Sequence, residues 1–360
     1  MTSPSEIAKT VWRKVSDVAD RYERRRYPIS YATNPTPQPT VYFLTPDYRT
    51  PAGGIRVIYR HVDFLNEAGI RARVLHRHPG FRCTWFENET EVADIGSVTI
   101  SQGDLLVVSE LEADVLSDIP PAIDYVIFNQ NSHLTWARSP YHMGRYYAGA
   151  QLSAVVCVSE HNRDMLAKAF AQAPIRRIHL GIDDRIFHPG QNRRPLRIAY
   201  MPRRGADDAR LVIAFLRQVG LPEGWEIKAI DGLSHEAVAD ELRKARIFLA
   251  FTRQEGFGLP PAEAMACGCY VIGNDGFAGR EFFDPRFSAR VENGDVVGFF
   301  DAITHALNQD ASDPTWCETK GRAASRYVLS QYPAERERAE VTALYASLIG
   351  AARAKIIVGA

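Results

Sequence analysis

The residues best suited to chemistry are two carboxylates and the loop between them, Glu255 and Glu263 in the stretch EGFGLPPAE. Gly256 and Gly258 carry no Cβ, so the loop can turn tightly and bring its backbone close to a ligand. Pro260 and Pro261 suit a helix start, where a missing N–H costs little, and Glu263 falls in that helix's first turn. A helix N-terminus favours negative charge, and phosphate above all. Two carboxylates able to accept hydroxyl hydrogen bonds, beside such a helix end, describe a nucleotide-sugar site. The plainer reading makes Glu263 a capping residue and the glycines turn residues. The grouping directly after a buried strand disfavours it.

Open parallel sheets bind ligands outside the carboxyl ends of their strands, so the strands decide which residues meet. Continuous apolar runs at 41–45, 71–76, 104–109, 124–130, 154–159 and 176–182 alternate with helical or loop segments. Such runs mark a sheet buried on both faces. After a turn-rich linker at 187–194, a second series follows at 196–202, 225–231, 245–252 and 269–275, with a weaker run at 287–291. Helices are expected at 55–68, 207–219, 235–244, 261–267, 295–308, 315–330 and 334–354. The predicted organisation is an N-terminal helix and connector (1–40), a Rossmann-like domain (41–190), a second one (191–330), and a C-terminal helix (331–360) crossing back to the first. The default ligand site is the cleft between two such domains.

Composition narrows the class. The 43 basic and 43 acidic residues cancel, which removes a global electrostatic reason to bind nucleic acid. The 5 cysteines are odd in number and lack Cys-x-x-Cys spacing, which argues for a reducing compartment. The first residues carry charges where a signal peptide would be apolar, and no apolar run nears the ~18–20 residues of a membrane span. A cytoplasmic protein is expected. Residues 5–26 form an apolar stripe with basic flanks, read either as a helix at the inner membrane surface or as an extension packed on the body. The proline-punctuated stretch 27–40 reads as an extended tether.

The string EGFGLPPAEAMACG, with Glu255 and Glu263 at its hallmark spacing, resembles glycosyltransferase family 4, a retaining family with the GT-B fold. That resemblance implies an α/β protein whose two Rossmann-like domains face each other, parallel sheet to parallel sheet, across a cleft. It covers roughly residues 41–310 and is strongest in the second half. It implies that Glu255 contacts donor-sugar hydroxyls and Glu263 the ribose, with backbone near Gly256, Phe257, Gly258 and Leu259 meeting sugar and phosphate. Gly53 and Gly54 are similar to the family's glycine-rich acceptor-side loop, which approaches the donor phosphates, and the resemblance makes 41–190 the acceptor domain and 191–330 the donor domain. Similar proteins place Gly-Arg and then a lysine after the second domain's first strand. Here MPRRGADDARL offers Arg203 and Arg204 and lacks the lysine, so either arginine is open as the phosphate contact. In FNQNSH, either His133 or Asn131 would touch the donor sugar. His161 and Arg56 are further candidates.

The reaction implied is transfer of a hexosyl or deoxyhexosyl group, rhamnosyl or mannosyl among them, from a nucleoside diphosphate sugar to a glycan or lipid-linked acceptor of surface polysaccharide synthesis. No cofactor is called for, and no Asp-x-Asp occurs to hold a metal-bound diphosphate. The catalytic set is Glu255, Arg203, Arg204 and His133. The alternatives are a nucleotide-sugar 2-epimerase and a non-catalytic nucleotide-binding subunit.

Overall fold

The structure is a computed structural model that describes residues 27–137, 143–191, 194–203 and 205–359, with side chains to 354. The expected helix at 5–26 and Arg204 lie outside the described residues.

The first half runs β1 (Ser30–Pro35), β2 (Val41–Leu44), α1 (Gly53–Glu67), β3 (Ala72–His76), β4 (Val92–Asp94), β5 (Thr99–Gln102), β6 (Leu105–Ser109), β7 (Asp124–Asn129), α2 (Met143–Tyr147), β8 (Leu152–Cys157), α3 (Glu160–Ala169) and β9 (Ile175–Arg177). Its main sheet has the order β4-β3-β2-β6-β7-β8-β9, and every pairing is parallel. The second half runs β10 (Arg197–Tyr200), α4 (Ala206–Val219), β11 (Glu226–Ala229), α5 (His235–Arg243), β12 (Ile247–Glu255), α6 (Leu259–Ala266), β13 (Tyr270–Phe277), β14 (Ser288–Arg290), α7 (Val296–Ser312), α8 (Trp316–Gln331) and α9 (Ala334–Gly359). Its sheet, also parallel throughout, has the order β11-β10-β12-β13-β14.

Neighbouring residues of a strand point to opposite faces, which explains the unbroken apolar runs. Val41 and Phe43 of β2 enter one core, whereas Tyr42 and Leu44 enter another. In β12, Phe248 and Ala250 face the first core, and Ile247, Leu249 and Phe251 face a third. Both sheets are covered on both sides, as parallel sheets must be.

Both strand orders reverse once. The first reverses between β2 and β6, the second between β10 and β12. At such a switch point neighbouring loops leave in opposite directions and open a crevice. The two crevices are the places where a ligand is expected.

The stretch 27–40 differs from its expected tether. Residues 30–35 form β1, which pairs in parallel with β5. Tyr27, Ile29 and Tyr31 pack against the first domain's outer core, and that partial burial docks an extended segment whose prolines an edge strand tolerates.

Helix α9 returns to the first domain. The Tyr345 ring lies 5.3 Å from Phe43. Glu337 is fully buried and accepts from Arg60 Nη2 (2.6 Å), His61 Nε2 (3.0 Å) and the Gly181 amide (2.9 Å). A Cβ on Gly181 would lie 2.5 Å from the Ala334 Cα, so only glycine permits this crossing. No helix among the described residues is long and apolar enough to cross a membrane.

Candidate active site

One cleft of about 420 Å³ takes in both switch points. Its first-domain wall carries Gly53, Gly54 and Arg56 after β2, Glu110 after β6, and Gln130 and Asn131 after β7. Its second-domain wall carries Arg203 after β10, His235 at the start of α5, and residues 255–260 with Glu263 between β12 and α6.

Strand β12 reaches Glu255 through an irregularity after Thr252, which turns the Glu255 side chain into the site. Gly276, with φ 59°, gives it room: a Cβ there would come within 3.0 Å of Glu255 Cγ. Gly258 has φ 95°, a left-handed conformation that favours glycine, and α6 begins immediately after it. Pro260 and Pro261 cannot donate. The α6 end therefore offers its dipole to an anion, but the backbone donors there come from residues 256–259. The expectation of free N–H groups within the helix's first turn is corrected to that extent.

Glu263 is buried, and its Oε1 accepts from Arg56 Nη2 at 2.6 Å. The other guanidinium nitrogen of Arg56, Nη1, bonds to His235 Nδ1. Burial first, and then the Arg56 charge, push His235 down to about 4. At neutral pH it is therefore uncharged and accepts from Arg56. Arg203 is half-exposed, with Nε 3.1 Å from Asp231 and Nη1 3.3 Å from the Pro51 carbonyl. Asn131 Nδ2 donates to the Gln254 carbonyl at 3.0 Å, and Gln130 Nε2 to the Gly54 carbonyl at 3.0 Å.

His133 is placed differently. It does not line the cleft. Its Nε2 lies 3.0 Å from His161 Nε2, and both rings rest on Phe277. Phe277 is the one non-glycine among the described residues with positive φ, 69°.

Sequence reasoning put Glu110 at the ligand-facing end of a strand without giving it a role, and missed His235 altogether. Glu110 ends β6 at the first switch point, and its two oxygens accept the Gln130 and Asn131 amides at 3.1 Å each. It thereby holds the loop that meets residues 254 and 256. Burial pushes its carboxyl up from 4.5 to about 7, although those amides favour the ionised form. A pKa raised on folding contributes stability that is complete below about pH 4.5 and is lost as pH rises through about 7. The shift corresponds to roughly 3 kcal/mol. Urea midpoints of Glu110→Gln and wild type are thus expected to diverge between pH 4.5 and 7, with the variant gaining relative stability as pH rises. A constant difference across that range would refute the raised pKa.

Among the described residues no group of three or more His, Cys, Asp or Glu side chains is placed to hold a metal ion. The cysteines are all free and buried.

Residues 208–309 match the family described as Glycosyl transferases group 1. The chain is 27% identical over 284 residues to an alpha-1,6-glucosyltransferase of Actinobacillus pleuropneumoniae serotype 7, covering 72% of this chain and 81% of that protein. It is 36% identical over 110 residues, 30% of each chain, to the lipopolysaccharide core biosynthesis mannosyltransferase LpcC of Rhizobium leguminosarum bv. viciae. In fold it is similar to sucrose-phosphate synthase from Thermosynechococcus elongatus, with a TM-score of 0.67 and 15% identity over 87% of this chain and 100% of that one. HepE of Anabaena, in complex with UDP and glucose, gives a TM-score of 0.64 and 12% identity over 86% of this chain and 100% of that one. The fold is GT-B, with two Rossmann-like domains. Fold and sequence similarity together support a GT-B glycosyltransferase.

Proposed function

We propose that the chain transfers a hexosyl or deoxyhexosyl group from a nucleoside diphosphate sugar to a glycan or lipid-linked acceptor in surface polysaccharide synthesis, with retention of configuration and without a metal. One observation carries this reading. Glu255, Glu263 and the loop 256–259 meet Gly53, Gly54 and Arg56 in a single cleft formed where both strand orders reverse.

Within this reading Glu263 bonds the ribose hydroxyls, keeping Arg56 on one oxygen. Glu255 orients the sugar. The departing diphosphate is stabilised by Arg203 or Arg204, the amides of residues 256–259 and the α6 dipole, aimed where charge develops. The similarities to a glucosyltransferase and a mannosyltransferase support a hexosyl donor. The UDP-bound fold relative supports a nucleotide at this cleft. Membrane-surface contact through the N-terminal segment remains part of the proposal.

A thermal-shift panel of nucleoside diphosphates and their sugars tests the donor site, since a ligand that binds only the native state raises the melting temperature. Glu263→Ala is expected to weaken nucleotide binding about tenfold, as befits one charge-assisted hydrogen bond. Glu255→Ala should lower kcat by about 10- to 100-fold and leave nucleotide affinity near wild type. Unchanged transfer in both variants, or no ligand-induced shift across the panel, defeats the assignment. Product analysis without acceptor addresses a 2-epimerase: a 2-epimerised nucleotide sugar would replace the transfer reading.

A further inference from the structure

A second cavity, of about 280 Å³, adjoins the main cleft on its first-domain side. Tyr48 and Trp85 line both cavities, so the two form one groove with an aromatic pair at the junction. All residues of the second cavity fall between 48 and 85, and none comes from the donor loop at 255–263.

The cavity is built from two segments, the loop after β2 and the chain after β3, and Asp47 ties them together. Its Oδ1 accepts from His76 Nδ1 at 2.7 Å, and its Oδ2 accepts from the His78 amide at 2.9 Å and from His78 Nδ1 at 2.6 Å. Burial opposes ionisation of Asp47, but these hydrogen bonds prevail and hold it down at about 2. Trp85 Nε1 donates to the Tyr48 carbonyl at 3.2 Å, which fixes the indole at the junction.

The lining of this cavity includes two guanidinium groups, Arg49 and Arg82, and no carboxylate. Both arginines are exposed, and neither has an ion-pair partner among the described residues. Arg82 Nη1 donates to Asn88 Oδ1 at 2.6 Å, which orients the guanidinium and leaves its other N–H groups for a ligand. A guanidinium fork matches carboxylate or phosphate in two parallel hydrogen bonds. Aromatic faces beside it offer the apolar contact that a sugar ring needs.

We propose that this cavity seats an anionic sugar of the acceptor, one bearing a phosphate or a carboxylate, with Arg49 and Arg82 on its charge and Trp85 and Tyr48 against its ring. The proposal rests on the transfer reading above and specifies its acceptor. A chain anchored there extends past Trp85 into the main cleft, where its hydroxyl meets the donor. Because the cavity belongs to one domain alone, the acceptor can bind before the domains close on the donor.

The test is titration of the full chain with glucose 6-phosphate, glucuronate, glucose and inorganic phosphate, followed by saturation-transfer NMR. It is run with and without the nucleoside diphosphate that gives the largest thermal shift. Both charged sugars should bind at least tenfold more tightly than glucose, and more tightly than inorganic phosphate. In the Arg49→Ala/Arg82→Ala double variant that preference should shrink to within twofold, with the nucleotide-induced thermal shift unchanged. Trp85→Ala should weaken charged and neutral sugars alike. Equal binding of glucose and the charged sugars overturns the proposal, as does a preference that survives in the double variant. Inorganic phosphate binding as tightly as glucose 6-phosphate overturns it too, by exposing a bare anion site. A chain that keeps the charged-sugar preference but shows no thermal shift with any nucleoside diphosphate supports the anionic-sugar seat and defeats the transfer reading separately.

Discussion

Gly256→Ala is expected to lower glycosyl transfer at least about a hundredfold while leaving both domains folded. A Cβ at this position would lie 1.5 Å from the Gln130 carbonyl oxygen and 2.6 Å from its carbon. Both are backbone atoms of the opposite domain, so no side-chain rotation relieves the overlap. The loop after β12 must withdraw from the loop after β7 by more than an ångström, and it takes Glu255 and the amides of 257–259 with it. A displacement of about 1 Å at reacting groups costs on the order of 10²-fold in rate. The hydrogen bond that accompanies this contact, from Asn131 Nδ2 to the Gln254 carbonyl, is stretched or lost with it. Gly256 lies in the loop between β12 and α6, outside both sheets and their helices, so circular dichroism and the melting temperature should change little. A variant that keeps wild-type kcat would show that the approach of these two loops is irrelevant to turnover.

The largest expected effect on stability comes from Glu337→Ala, at about 3–5 kcal/mol, the typical cost of removing one partner from a buried ion pair. The carboxylate sits fully buried on α9 and satisfies Arg60, His61 and the Gly181 amide, all from the first domain. Burial opposes its ionisation, but Arg60 and then His61 and the Gly181 amide prevail and hold it below the ordinary carboxylate range. A carboxyl depressed on folding contributes stability that is present above its unfolded pKa and lost as pH falls through the folded one. Glu337→Ala should therefore flatten the acid side of the stability profile and lower the urea midpoint at neutral pH. Glu337→Gln, which keeps the shape and one acceptor, should fall between the two. A midpoint that both variants leave unchanged would mean that α9 is anchored by its apolar contacts alone, such as Tyr345 against Phe43.

Much of the architecture was readable from local pattern. Strands β2, β3, β6, β7, β10, β12 and β13 fall within a few residues of the apolar runs that announced them, because strands buried on both faces need unbroken apolar sequence. Strands β11 and β14, also found near their runs, are sheet edges with mostly exposed or half-buried residues. The short edge strands left weaker traces. Strand β4 has three half-buried residues, and β1 is mostly exposed and ends at a proline. Its pairing with β5 depends on a segment far along the chain, so no local pattern marks it. The 176–182 run forms only the short β9. Beyond it, Gly181 and Ile182 bond to Glu337 and Tyr332, partners that no local reading of 176–182 could supply.

The site divides in the same way. The donor-loop candidates, from Glu255 through Gly256, Phe257, Gly258 and Leu259 to Glu263, stood out because glycines, prolines and carboxylates follow a buried strand within one short segment. The sequence alone therefore determined two parallel-sheet halves, the strand end that carries Glu255, and the two prolines that silence the donors of the α6 first turn. Only the tertiary structure decided that Arg56 holds Glu263 across 207 positions of chain, that His235 is kept neutral beside it, that Glu110 is buried under the loop it anchors, and that His133 turns to His161 rather than into the cleft. Those outcomes depend on how two sheets are set against each other. Burial and opposing charge exist only once distant segments share a space, so no spacing within the sequence encodes them.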